Sequence, residues 1–362
     1  MTLSPVFRSP EAVRLLEEHG IWQRLNPAIV AQAQAVQTVR ADLAAVIGEE
    51  FRRPVDPVPA EPDAAEGNLD FLQEFFFLIL FRALFESLGI APRRLPFYAE
   101  MNFCIKGTIT AADNIFDDQD KSLLPLKRNV GPRCGSILQL MCFERLIRRA
   151  CDRAVSAGAI EAEPVDTILR GLIDRMARIG QLEGSEEGGV KDIPPPPEMI
   201  ERVHAVRGGA LFSLAFVAPR AIETGEVGER VRRAEPAIAR LGTAFQIVDD
   251  LTDFEFDLRR RSHNLLVSQI THHGTPIERE KLRALWSGQP AEDGLVEGLF
   301  RPSAQAALEM ARAEARASLA ALEELGFWFP SALADPVVHA IVGHDGTARI
   351  KTLVSSAGRG TK

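Results

Sequence analysis

Residues 242–257 read GTAFQIVDDLTDFEFD, and their spacing decides the fold. Asp249, Asp253 and Asp257 stand at i, i+4 and i+8. On an α-helix that interval stacks three carboxylates on one face, one turn apart. Leu241 and Phe245 carry the same stripe toward the N-terminus, so a single line of the helix is apolar below and acidic above. An ordinary solvated face has no such order. Like charges at i, i+4 cost a helix roughly 0.2–0.5 kcal/mol per pair. Partial burial raises the cost to several kcal/mol per ion unless a cation offsets it. Divalent cations that take oxygen ligands are the natural counter-charge.

Working outward, a second acidic run lies upstream in AADNIFDDQDK, residues 111–121, with Asp113, Asn114, Asp117, Asp118 and Asp120. Asp113 and Asp117 share a face, and Asp120 follows at i+3. Thr110 and Cys104 continue the helix upward without charge. These acids fall at a helix C-terminus, where the macrodipole is already negative. Acceptors set against the dipole ask for a positive partner. Two such helices at the mouth of a bundle would make a cluster of hard-metal sites, suited to a diphosphate that bridges the metals.

Composition narrows the class. The 362 residues are 46% hydrophobic and 25% charged, as in ordinary globular chains. A net charge of -8 and a pI near 5.5 exclude a general nucleic-acid-binding surface. Cys104, Cys134, Cys142 and Cys151 show no CxxC pairing and read as free thiols in a reducing cytosol, which predicts a cytoplasmic protein. The first twenty residues hold no apolar core of a signal peptide. The most hydrophobic segment, FLQEFFFLILFRALF at 71–85, is interrupted by Gln73, Glu74 and Arg82. It falls short of the ~18 apolar residues that a membrane span needs, so it reads as a core helix.

Nearly every stretch from Asn68 onward has helical periodicity, and none alternates as a strand does. The pattern predicts helices over 10–48, 69–88, 97–118, 133–157, 164–184, 197–221, 229–257, 262–273, 276–286 and 303–325. Breaks fall at 51–67, 89–96, 121–132 and 188–197, the last holding IPPPP, which no helix interior tolerates. The chain is read as all-α: an N-terminal helical extension and linker at 1–66, one catalytic domain at 67–330, and a tail at 331–362.

Four stretches carry a family resemblance. FQIVDDLTD, 245–253, is similar to the second aspartate-rich motif of trans-prenyl diphosphate synthases, and DNIFD, 113–117, resembles their first. ARIGQLEG, 177–184, resembles their Gly-Gln stretch. VRGGALFSLAF, 206–216, resembles their Lys-Thr-x-x-Leu-Phe stretch, with Arg207 at the lysine position. The resemblance runs from about 70 to 269. It implies the class I isoprenoid synthase fold, a bundle of antiparallel helices around a central apolar cavity. It also implies three Mg²⁺ ions, an allylic prenyl diphosphate substrate and a homodimer. Asp113 and Asp117 would hold two of the metals, and Asp249, Asp253 and Asp257 the third.

Basic donors must grip the diphosphate. Arg207 is the first candidate, because its guanidinium meets phosphate oxygens in pairs. Arg261 and His263 lie just past the second motif, and Lys127 and Arg128 past the first. Gln246 offers a polar contact beside the metals. Phe77, Phe212 and Phe245 are candidates to line a dry pocket, where aromatic faces steady a cation. Arg349 resembles a C-terminal arginine that turns onto diphosphate in terpene synthases.

The chain departs from the chain-elongating members in one place. Where they hold a Gly-Gly-Lys-Arg-x-Arg-Pro stretch for a second diphosphate, this chain reads LQEFFFL, 72–78. The expected reaction is therefore terpene-synthase-like: one allylic diphosphate is ionised, then cyclised or quenched. The alternative is a trans-prenyltransferase that joins an allylic diphosphate to isopentenyl diphosphate or another acceptor through a different basic patch. A degenerate, non-catalytic partner subunit would show damaged motifs, and these are largely intact. A head-to-head synthase fits FQIVDD less well.

Overall fold

A computed structural model of the chain describes residues 10–55, 65–117, 119–127, 131–292, 294–340 and 344–355. Among these residues the chain is helical, and its extended pairing is limited to one isolated bridge between Arg52 and Leu126. The chain forms two compact units. One is built mainly from Leu16–Arg170 and Leu214–Val231, the other mainly from Gly171–Ser213 and Arg232–Lys362.

The helices run α1 (Pro10–Glu18), α2 (Ile21–Asp42), α3 (Ala65–Ser87), α4 (Leu95–Asp117), α5 (Pro132–Ser156) and α6 (Val165–Ser185). In the first unit, α2 buries Ile21, Leu25, Ile29, Val36 and Val39 along one face, which packs against α3 and α4. Each such side chain contributes about 1.5–3 kcal/mol of burial. The Gln32 amide crosses to the Ala99 carbonyl of α4 at 3.1 Å. α3 is apolar nearly all round, as a core helix must be, and it bends at Phe75 (φ -123°, ψ 22°). α4 and α5 pack closely because Gly107 leaves room for the Phe143 ring. Tyr98 and Arg94 both bond to the buried Glu223, at 2.7 and 2.8 Å.

In the second unit the chain enters α7 (Pro196–Met199) and continues as a π-helix over Ile200–Ala210. α8 (Leu211–Ser213) follows. A 3₁₀ turn (Leu214–Phe216) and α9 (Val217–Ile222) then return to the first unit. The remaining helices are α10 (Gly225–Thr252), α11 (Phe254–Arg260), α12 (Leu265–His273), α13 (Pro276–Trp286), α14 (Arg301–Glu324), α15 (Ala334–Ala340) and α16 (His344–Ser355). Asn264 caps α12 through the Leu266 and Val267 amides, and Thr275 with Glu278 forms a capping box on α13. Along α14, Ala304, Ala307, Leu308, Ala311, Ala315, Leu319 and Leu322 form its buried stripe.

Most boundaries match the periodic pattern within a few residues, and two differences have physical causes. The single helix expected over 229–257 is divided: Asp253 leaves helical geometry (φ -100°, ψ 14°) between α10 and α11. The tail, unreadable beyond Trp328, folds as α15 and α16. Pro196–Ile222 is the one stretch among the described residues long and apolar enough to cross a membrane, with 56% of that window buried.

Candidate functional site

The acidic end of α10 rests on a buried polar frame. Gly208 and Gly242 bring the π-helix and α10 into backbone contact, and a Cβ on Gly208 would stand 2.2 Å from the Gly242 carbonyl oxygen. Four residues before Gly208, the buried His204 meets Asp250, with its Nε2 2.7 Å from Oδ2 and its Nδ1 3.1 Å from the Met199 carbonyl. Asp250 Oδ2 also accepts the Leu265 amide at 2.5 Å. Asn264 donates to the Asp250 carbonyl at 2.7 Å and to Asp257 Oδ2 at 2.8 Å. Asp250 is thus spent inward, which leaves its neighbour Asp249 half-buried and Asp253 exposed.

Burial holds the Asp257 carboxyl well above its ordinary range. The charges of Asp250, Asp249 and Asp253 add to this, and the Asn264 bond opposes it. Negative charge is in excess here. Gln246 stands beside it, with long 3.4 Å bonds to Asp249 and Asp250. Phe212 and Phe245 lie one turn up the same crossing, ring centroids 6.0 Å apart.

Among the described residues no three His, Cys, Asp or Glu side chains converge into a ready-made cage. Magnesium does not require one, since it is commonly held by one or two carboxylates together with substrate phosphates and water. Asp249, Asp253 and Asp257 are all oxygen donors, and their mutual repulsion is what a divalent cation relieves. The residues fit the ion.

Arg207 projects from the π-helix, a rare form that is frequent at functional sites. Its Nε and Nη2 bond to Glu183 at 2.6 and 3.3 Å, and Nη2 to Glu186 at 2.7 Å. Glu186 also accepts from the His263 backbone at 3.2 Å and lies 2.6 Å from its Nδ1. One carboxylate therefore gathers both basic candidates. Despite its burial, the hydrogen bond with His263 and the charge of Arg207 keep Glu186 below its ordinary pKa. Arg261 is exposed, in the left-handed region (φ 57°), and donates to the Trp286 carbonyl at 3.3 Å.

The first acidic run closes α4. Asp113 is exposed. The Asp117 side chain, Asp118 and Arg128 lie outside the described residues. Asn114 is buried, and its amide pairs with both backbone groups of Lys121, at 2.7 and 3.1 Å. That hook folds the following loop back onto the helix. Lys127 reaches the Glu49 carbonyl at 3.3 Å, and Phe77 is half-buried against Phe76.

The loop brings Lys121 toward Lys106, which the sequence reading passed over. Burial lowers the Lys106 pKa; Glu74 opposes that shift and Lys121 adds to it. Burial raises the Glu74 carboxyl, against the charges of Arg40 and Lys106. The Lys106 ammonium stands 5.7 Å over the Phe75 ring, and the Arg40 guanidinium 5.9 Å over Phe103. Two cations, Arg40 of α2 and Lys106 of α4, thus act on one carboxylate of α3, and Lys121 from the loop acts on Lys106; α3 is the helix whose LQEFFFL run departs from the expected diphosphate-binding stretch. No local motif reveals this. The available signal was a lone lysine in the apolar run of α4, seven residues before Asp113.

The chain covers 88% of its length in a match to a decaprenyl diphosphate synthase from Rhodobacter capsulatus, of which 99% is covered, at TM-score 0.59 and 19% identity. A polyprenyl synthetase from Streptomyces coelicolor A3(2) matches at TM-score 0.54 and 18% identity, with 91% of this chain and 99% of that one covered. A polyprenyl synthase from Caulobacter crescentus CB15, complexed with calcium and isoprenyl diphosphate, matches at TM-score 0.50 and 18% identity, with 88% and 98% covered. No family model and no curated protein matches. The chain has the all-α isoprenoid synthase fold of these structures. The expected terpene-synthase-like cyclisation is corrected by these findings: the similar structures are prenyl diphosphate synthases, and they back the alternative reading.

Proposed function

We propose that this chain is a trans-prenyltransferase that joins an allylic prenyl diphosphate to isopentenyl diphosphate or a similar acceptor. The observation that carries the reading is the pair Arg40 and Lys106, set over the adjoining Phe103 and Phe75 rings beside Glu74, with Lys121 acting on Lys106. Neighbouring half-buried cations are costly unless an anion joins them. Lys106 and Asp113 share a stripe of α4 seven positions apart, about 10 Å of helix rise. That interval suits a second diphosphate held beside the first. A one-substrate reaction has no use for it.

In this reading Asp113, Asp117, Asp249, Asp253 and Asp257 hold three Mg²⁺ ions. Bound magnesium neutralises the charge that builds on the departing diphosphate. The allylic C–O bond breaks and its electron pair leaves with that diphosphate. The acceptor's alkene forms the new C–C bond, and a proton from its adjacent carbon passes to the released diphosphate. Lys106, Lys121 and Arg40 grip the acceptor. Arg207 keeps Nη1 outside its bonds to Glu183 and Glu186 and offers it, with His263 and Gln246, to the allylic phosphates. Phe77, Phe212 and Phe245 exclude water from the prenyl chain. Lys127, Arg128 and Arg261 are further phosphate contacts.

Residues 67–330 are the proposed catalytic region, flanked by 1–66 and 331–362. The working form is a homodimer, because α5 exposes Ile137 and Met141 one turn apart. The buried free thiols of Cys104, Cys142 and Cys151 support a reducing, cytoplasmic setting.

The test is incubation with geranyl, farnesyl or geranylgeranyl diphosphate and magnesium, with and without isopentenyl diphosphate. A longer diphosphate formed only with the co-substrate is expected. Lys106→Gln should raise KM for isopentenyl diphosphate about tenfold, the loss of one charged contact, and leave the allylic KM nearly unchanged. Hydrocarbon or alcohol from a single substrate would overturn the reading.

A further inference from the structure

Arg349, on α16, makes a set of contacts that the proposed chemistry does not use. Its Nη1 donates to the Leu251 carbonyl at 2.8 Å and the Thr252 carbonyl at 3.3 Å. Nη1 and Nη2 meet the two oxygens of Glu255 at 3.0 and 2.8 Å, and Nε meets Glu297 at 2.8 Å. The guanidinium is mostly buried and bonded on all three nitrogens. It is therefore committed to protein groups and is not a hand held out to substrate.

Those contacts fall on one feature, the break between α10 and α11. A straight helix would give the Phe256 N–H to Thr252, but here it goes to the Asp253 carbonyl at 2.9 Å, as does the Asp257 N–H. The carbonyls at the end of α10 thereby need other donors, and the Arg349 fork supplies them. The break lies between Asp249 and Asp257, and Asp253 sits on it. A cation here also offsets the macrodipole's negative end and the carboxylates crowded around it.

We propose that Arg349 is a positioning residue for the metal-binding end of α10. Through it, α16 fixes the angle between α10 and α11, and so the directions from which Asp249 and Asp253 reach a metal. A planar fork that spans two carbonyls and two carboxylates is a task for arginine and not for lysine. Glu297 orients the fork through Nε. This inference rests on the reading above that Asp249 and Asp253 bind magnesium.

The test is calorimetric titration of Mg²⁺ into the full chain with inorganic diphosphate and no prenyl substrate, alongside thermal unfolding. Wild-type protein should bind. If it does not, the magnesium reading fails, and the role of Arg349 falls with it. If wild type binds, Arg349→Gln should weaken Mg²⁺ about tenfold, the scale of losing a group that orients metal ligands. Arg349→Lys should leave most of that loss in place. Glu297→Gln should give a smaller loss in the same direction, and it carries the measurement if Arg349→Gln fails to fold. A purely structural role would lower the melting temperature and leave Mg²⁺ affinity within error of wild type. That result, in either Arg349→Gln or Glu297→Gln, overturns the proposal.

Discussion

His339 carries the pH signature of the fold. Burial lowers its pKa to about 4, with the Arg312 charge adding and Asp335 opposing. Its Nε2 lies 2.8 Å from Arg312 Nη2 and 3.2 Å from Nε, a geometry in which the imidazole must be neutral and accepting. The unfolded chain takes up that proton near pH 6.5. Between about 6.5 and 4 the unfolded state therefore binds more protons, and stability falls as pH drops through that window. Above it the contribution is fully present. At ~1.4 kcal/mol per unit, the loss is at most about 3 kcal/mol. Urea unfolding at pH 7, 5.5 and 4.5 should show it, and His339→Gln should flatten the slope. Single residues were unevenly legible in the sequence. The aspartates announce themselves by spacing. Lys106 and Glu186 do not, because their partners come from elements distant in the chain.

The crossing of the π-helix and α10 shows how elements set the site. Gly208 and Gly242 each face the other's carbonyl oxygen, at 2.2 and 2.3 Å from where a Cβ would stand. A backbone oxygen cannot move aside as a flexible side chain does. Gly208→Ala should cost about 1–3 kcal/mol, the range of overpacking, read as a lower melting temperature. It should also weaken magnesium and diphosphate binding, since His204 and Asp250 meet across this contact. Helical periodicity recovered nearly all helices before the tail, because each buries one stripe. It did not show the π-helix, whose i+5 pattern follows from the fit to α10. Nor did it show the break at Asp253, where the acidic stripe still reads as regular. α15 and α16 are short, and their residues are placed by tertiary contacts with α14.

For the whole molecule, the fold was legible and the number of substrates was not. Two acidic motifs in an all-helical chain gave the architecture, and the similar solved structures agree at 19% identity or below for those described. The one-substrate reading sought a basic motif in one stretch and is corrected by the similar structures; the site proposed above would instead draw its cations from α2, α4 and a loop. Association belongs at this scale too. Ile137 and Met141 are 50% and 62% exposed on α5, where an isolated subunit would present them to water. Sedimentation of wild type should give a dimer, and Met141→Glu with Ile137→Glu a monomer; a monomeric wild type would refute the assembly. The contact from Arg349 to Leu251 spans 98 positions. At roughly 5–20 residues per second of translation, that gap keeps the acidic helix end waiting about 5–20 s for its basic counterpart on the ribosome. A nascent chain crosses that interval with its carboxylates uncompensated unless free divalent cations shield them, whereas a finished chain refolding from denaturant has both halves from the outset.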